Sequence, residues 1–255
     1  MSVIPYQCSG RSVLPTYTAP AASPRLLFLF ITLLATITCF GQSTTRLLNQ
    51  ALSGTTAEQS RLVNDLQSLN RQDYQSGDAL LIGQLVSIDT LGEAPEYIKL
   101  LGFLGREDLL TSVSEVLRER DDVRRAINLA RVRAGNTAKR DNLLKNVRAI
   151  DVNDEFVYTV IPLLTYTRDR KVYEYLWELV LSENRSCTPA DAETPGRIDC
   201  AYRIVEYMAG TIENFPVKVD EDYNLLTTDY AGALAEIRRW YAANQSTYRL
   251  LIDTY

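Results

Sequence analysis

From residue 95 onward the apolar side chains recur three or four positions apart in short segments, and each segment ends at a polar turn. That spacing places them on one stripe of an α-helix. Pro95 to Leu104 is followed by Glu107 to Arg118, Asp121 to Arg133 by Thr137 to Arg148, and Asn153 to Thr165 by Arg170 to Leu181. Within the pairs the stripes read Val123, Ile127, Ala130 then Leu143, Leu144, Val147, and Phe156, Val160, Leu163, Leu164 then Val172, Leu176, Leu179. One such helix pair cannot bury its own stripe. The pairs must pack on neighbours to close a continuous core.

The pair starts near 95, 121 and 153 are spaced by 26 and 32 residues. Asp121 and Asn153 are suited to N-caps, and Gly135 to a helix stop. Upstream, Leu62, Leu66 and Leu69 mark one helix, and Leu80, Leu81, Leu85, Val86 and Ile88 a second. Downstream, Ala201 to Ile212 and Ala231 to Ala243 read as helices, with Asn214 to Asp229 as polar loop between them. No run of alternating Val, Ile and Thr bounded by Asn-Gly or Asp-Gly turns marks a strand. The expected fold is all-α: an irregular right-handed α-solenoid of antiparallel helix pairs, with an irregular helical bundle as the alternative.

Two stretches, Asp122-Val123-Arg124-Arg125-Ala126 and Phe156-Val157-Tyr158-Thr159-Val160-Ile161-Pro162-Leu163-Leu164, resemble HEAT-like α-helical repeats. The resemblance spans residues 75–183 and implies a stack of helix pairs, with residues 201–255 as capping helices.

The other constraint is at the start of the chain. Arg25 precedes fifteen uncharged, mostly apolar residues, 26–40, which end at Gly41-Gln42. A basic residue, a short apolar core and a small exit residue form the secretory pattern. The run is short of the roughly 20 residues that span a bilayer. Residues 1–41 are therefore expected to be a signal peptide with a polar N-terminal extension, and residues 42–255 a single exported helical domain, periplasmic or extracellular. Cys-Phe-Gly followed by Gln resembles Bacteroidetes-type signals. An uncleaved anchor through residues 26–40, or lipidation at Cys39, are the alternatives, and membrane contact is expected through this segment only.

Removal of residues 1–41 takes Cys8 and Cys39 with it and leaves Cys187 and Cys200, which flank a stretch with two prolines and a glycine. Two cysteines around one loop in an exported protein predict a disulfide. The segment lacks the CxxC spacing of a redox pair.

Composition narrows the chemistry. The chain has no histidine, which excludes Ser-His-Asp and Cys-His catalysis and His-ligated zinc. Net charge is −5, and −7 once Arg11 and Arg25 are removed. A mildly acidic chain is no general nucleic-acid binder. Asp220-Glu221-Asp222-Tyr223-Asn224 alternates oxygen ligands, but Leu225 and Ala231 stand where an EF-hand requires Gly and Glu. Glu174 and Glu178 lie one helical turn apart, where paired carboxylates could serve hydrolysis. Catalytic residues, cofactors and metals are not expected.

Residues 118–148 hold ten basic and four acidic side chains, a net +6 that leaves −13 for the rest of residues 42–255. Arg120, Arg124 and Arg131 share one helical stripe, a possible binding face for an anionic partner. The opposing reading is a solvated face with Asp121–Arg125 and Asp141–Lys145 pairs. Fifteen tyrosines, including Tyr158, Tyr166, Tyr173, Tyr175, Tyr202 and Tyr207, suit either packing between repeats or a recognition surface. The expected function is a non-enzymatic interaction protein whose helical surface meets a protein or envelope component. A structural envelope protein and a His-free carboxylate hydrolase are the alternatives.

Overall fold

The computed structural model describes residues 44–54, 56–88, 92–189, 196–220 and 224–255. The expected signal peptide, residues 1–41, and residues 221–223 lie outside the described residues. The described chain is all-helical. The helices are α1 (Thr44–Ser53), α2 (Thr56–Gln67), α3 (Asp78–Ser87), α4 (Ala94–Phe103), α5 (Glu107–Leu110), α6 (Glu115–Arg118), α7 (Asp121–Arg133), α8 (Thr137–Val147), α9 (Asp154–Thr159), α10 (Ile161–Tyr166), α11 (Arg170–Leu181), α12 (Ala201–Ala209) and α13 (Tyr230–Asn244). Single antiparallel bridges pair Cys187 with Ile198, Ile212 with Leu250 and Val219 with Leu225.

The local rules hold best around α7 and α8. Asp121 and Asp122 sit at the positive end of α7, and Arg131 and Arg133 at its negative end. Gly135, at φ 98°, ends the helix: its N–H bonds Val132 O at 2.9 Å, and Asn136 N–H bonds Arg131 O at 2.9 Å. This is a Schellman stop. The side chain of Asn136 then caps α8 by accepting from Lys139 N–H. Asn153 caps α9 as its sequence suggests. At α7 the cap is Arg120, and Asp121 is the first helical residue.

Two expected helices are broken. Asn153 to Thr165 divides at Val160 into α9 and α10, because Pro162 has no N–H to continue the ladder. Glu107 to Arg118 divides into α5 and α6. The hydroxyls of Thr111 and Ser112 bond back to Asp108 O and Leu109 O, and Ser114 caps the next turn from Leu117 N–H. Short hydroxyl side chains compete with the helical ladder in this way.

The core forms two clusters that meet on α7. Leu48, Leu66, Ile82, Ile98, Leu101, Phe103 and Ala130 belong to the first. Val132, Phe156, Ile161, Leu176, Trp177, Ile204 and Met208 belong to the second. In the first cluster α4 packs along α7. A Cβ on Gly102 would stand 2.5 Å from Ala130 Cα, so that crossing requires glycine. Asp78, fully buried at the start of α3, accepts from the Thr44 hydroxyl, from Thr45 Oγ1 at 2.6 Å and from Gln75 N–H at 2.8 Å. These bonds tie α1 to α3.

Residues 248–255 run back across both clusters. Tyr248 belongs to the second and Tyr255 packs against the first, where its ring lies 5.8 Å from that of Phe103. Arg71 N–H donates to Asp253 O at 2.8 Å, and Leu251 N–H to Thr211 O at 2.9 Å. Three arginines hold this strap by its main chain. Arg133 donates to Tyr166 O at 2.8 Å, Ile252 O at 2.9 Å and Thr254 O at 2.8 Å. Arg168 donates to Leu251 O at 3.2 Å and Tyr255 O at 3.0 Å. Arg170 donates to Tyr248 O at 2.8 Å and to Gln245 O. Burial, reinforced by the charge of Arg168, pushes the Arg133 guanidinium down to about 10. Tyr166, whose hydroxyl donates to Lys99 O at 2.6 Å, links α10 to α4.

The tyrosines separate by position. Tyr166, Tyr173 and Tyr175 are buried packing residues and Tyr202 and Tyr207 are half-buried, whereas Tyr158 is exposed.

Two predictions follow from this packing. Gly102→Ala should lower the unfolding free energy by about 1–3 kcal/mol through overpacking. Gly83→Ala, on α3 with open space around it, should raise it by up to about 1 kcal/mol. Urea unfolding of both variants checks the pair. The second concerns alkali. Burial raises Tyr166, Tyr173 and Tyr255 above the ordinary value of 10.0. A raised acid stabilises the fold below its unfolded pKa, and the stabilisation is lost as pH climbs toward the folded pKa. Arg133 acts in the opposite sense, but it is one group against three. Stability should therefore fall above pH 10.0. Tyrosinate absorbance should show a delayed step that coincides with loss of helical circular dichroism; gradual ionisation with the helix signal intact would contradict it.

Candidate functional site

The basic segment folds into the α7–α8 hairpin and its flanks, and half of its ten cations face a carboxylate. Arg120 meets Asp122 at 2.7 Å, and the same bond holds the Asp122 carboxyl below its ordinary range. Arg124 pairs with Asp121. Arg131 faces Glu107 at 3.9 Å. The three arginines of the expected stripe thus each stand opposite a carboxylate. Arg140 meets Asp141 at 2.8 Å. Arg148 meets Glu178 at 2.7 Å and lies 4.7 Å from the Tyr175 ring centroid.

The expected Asp121–Arg125 and Asp141–Lys145 pairs do not form, because Arg124 and Arg140 take those acids. Of the other five cations, Arg118 and Arg133 donate to main-chain carbonyls, and among the described residues Arg125, Lys139 and Lys145 have no ionic partner. The cations left with neither a carboxylate nor a carbonyl are therefore these three rather than Arg120, Arg124 and Arg131.

Beside them is a groove of about 340 Å³ between α7, α8 and the α9–α10 junction. Its floor is aliphatic: Leu129, Leu143, Val147, Val160, Leu163 and Leu164. Arg125, Lys139, Asn128, Asn142 and Asn146 line its edge. The groove exists because α8 buries little of its stripe. Val147 alone is buried on that helix, Leu143 and Leu144 are half-buried, and Ile150 beyond it is 48% exposed. A wider cavity of about 430 Å³ adjoins the strap and is lined in part by Gln67, Tyr166, Arg168, Tyr207 and Tyr255.

The other candidate chemistry is placed as follows. Glu174 is bound by Lys171 at 2.7 Å and Glu178 by Arg148, so each carboxylate has its own cation. Asp220 accepts from Asn224 N–H at 2.9 Å and shapes its own turn. Burial pushes the Glu206 carboxyl up, Arg203 opposing, and Glu206 accepts from Leu225 N–H at 3.5 Å. Among the described residues no three His, Cys, Asp or Glu side chains converge as metal ligands. No described helix is long and apolar enough to cross a membrane.

Cys187 and Cys200 are joined in a disulfide, with 5.1 Å between their Cα atoms. Both cysteines are buried in the second cluster. Cys187 N–H donates to Ile198 O at 3.3 Å and Cys200 N–H to Asn184 O at 2.9 Å, and these bonds join the two ends of the loop just before α12.

Comparison with protein families, curated proteins and solved structures finds no match to this chain.

The disulfide closes a separation of 13 residues. Its reduction should cost about 3 kcal/mol of stability by the chain-entropy estimate. Urea unfolding with and without reductant measures this; unchanged midpoints would show the bond to be unimportant to the fold.

Proposed function

We propose that this is an exported, non-enzymatic interaction protein whose helical surface binds a protein or envelope component of opposite charge. The observation that carries the reading is the unpaired cation set Arg125, Lys139 and Lys145 on one helical hairpin of a net-acidic chain. Charges without local partners raise the rate of encounter with a complementary surface. The disulfide is compatible with an oxidising compartment, and the 26–40 apolar run supports export.

We further propose that the α7–α8 and α9–α11 units are the ordered part of an irregular right-handed, HEAT-like solenoid. The repeated helix–turn–helix order supports it. One observation favours the bundle instead: the strap ties Tyr255 back to Phe103, whereas an open stack needs contacts only between neighbours.

Affinity capture from native envelope extract tests the function. Relative to wild type, replacing Arg125, Lys139 and Lys145 with Glu should reduce partner recovery roughly tenfold, the effect of about 1.4 kcal/mol. Replacing Arg120, Arg124 and Arg131 should reduce it less, since each already faces an acid. Equal recovery from all three proteins would remove the charged-surface reading.

A further inference from the structure

We propose that the groove between α8 and α10 binds a single-chain anionic amphiphile, an alkyl carboxylate. Its chain lies on Leu143, Val147, Val160 and Leu163, and its head meets Arg125 or Lys139. The site shares Arg125 and Lys139 with the charged surface proposed above and rests on the same two cations.

Three observations lead to this class of ligand. The first is lining chemistry. Small-molecule sites are mostly apolar, with a few polar groups that fix orientation. Here an aliphatic floor is edged by two cations and three asparagines, and no Asp or Glu lines the groove. In a chain of net charge −5, an acid-free apolar groove with two unpaired cations is complementary to an anion that carries an apolar tail. The nearby acids are committed elsewhere: Asp121 to Arg124, Asp122 to Arg120 and Asp141 to Arg140. They form no ion pair with Arg125 or Lys139.

The second is size. A volume of about 340 Å³ falls at the small end of the ligand-pocket range of about 300–1,000 Å³.

The third is length. Arg125 lies eight residues before the end of α7 and Lys139 two residues after the start of α8. At 1.5 Å per residue in an antiparallel hairpin, the two cations are offset by about 9 Å along the axis. Along α8 the lining itself runs from Lys139 to Val147, about 12 Å at 1.5 Å per residue. That suits a medium-length alkyl chain with its head beside one of the two cations.

Isothermal titration of the purified protein with sodium decanoate, below its micelle concentration, tests the site. Saturable binding at one site per chain is expected, at least tenfold tighter than for decyltrimethylammonium. In Arg125→Gln/Lys139→Gln that preference for the anion should disappear. Leu143→Trp should fill the floor and abolish binding of both probes. Because Leu143→Trp also strains the hairpin, Thr159→Trp provides a second block: Thr159 lines the groove and is exposed, so the fold tolerates the change. An unchanged thermal midpoint for Thr159→Trp, together with lost decanoate binding, supports the site. Absence of saturable binding, equal affinity for the cationic probe, or wild-type affinity in folded Thr159→Trp would each overturn it. Envelope capture by wild type reads the macromolecular interaction separately, so the failure of one proposal is distinguishable from the failure of the other.

Discussion

The fold depends on how a buried guanidinium is satisfied. Taking a charge out of water costs several kcal/mol unless its donors are all engaged. Arg133 is engaged by main-chain oxygens of Tyr166, Ile252 and Thr254 and by the faces of Phe103 and Tyr166, at 5.4 and 5.8 Å. Those partners come from α4, α10 and the strap, so one side chain fixes three parts of the chain relative to α7. Lysine lacks the planar fork that reaches several acceptors at once. Arg168 and Arg170 extend the same solution along residues 245–255, and the two apolar clusters become one cooperative body. About one turn back along α7, the Gly102–Ala130 approach sets how closely α4 lies against it.

Much of the helical order is legible in the sequence because its causes are local. Gly135 and Asn136 specify a stop and a restart, Asn153 specifies a cap, and the apolar stripes specify which faces are buried. Failures occur where a local rule competes with periodicity. The spacing of Phe156, Val160 and Leu164 continues through Pro162, but the backbone ladder does not. Thr111, Ser112 and Ser114 break a stretch whose apolar pattern is otherwise helical. Helix α1 carries only Leu47, Leu48, Ala51 and Leu52 as apolar signal, and its place is set by threonine hydroxyls reaching Asp78, a contact 33 and 34 residues away. The strap has no side-chain pattern, since the groups that arginine grasps are main-chain carbonyls, which every residue possesses.

The candidate site divides in the same way. An excess of basic residues between 118 and 148 can be counted, but which cations remain free cannot. Arg124 and Arg125 are adjacent and chemically identical, and the reach of Asp121 to the third rather than the fourth following position decides which one is neutralised. The groove is equally hidden: Leu143 and Leu144 read as ordinary core positions until the course of α9 and α10 leaves them half-covered. Pro162 thus bears on both fold and surface, since the break it imposes at Val160 lies in the groove wall.

The strap also sets the order in which the molecule can be completed. Helix hairpins such as α7–α8 close through contacts a few residues apart, which form early and rapidly. The contacts of Arg133 with Ile252 and Thr254 join residues 119 and 121 positions apart, and the bond from Arg71 to Asp253 spans a longer stretch still. Loop-closure entropy must be overcome before such contacts reward the chain. An architecture of short helix hairpins therefore carries a non-local lock in residues 248–255. Until the strap docks, Phe103 and Tyr166 lack the Tyr255 ring and Arg133 lacks two of its acceptors, so the helices stand without their closing contacts.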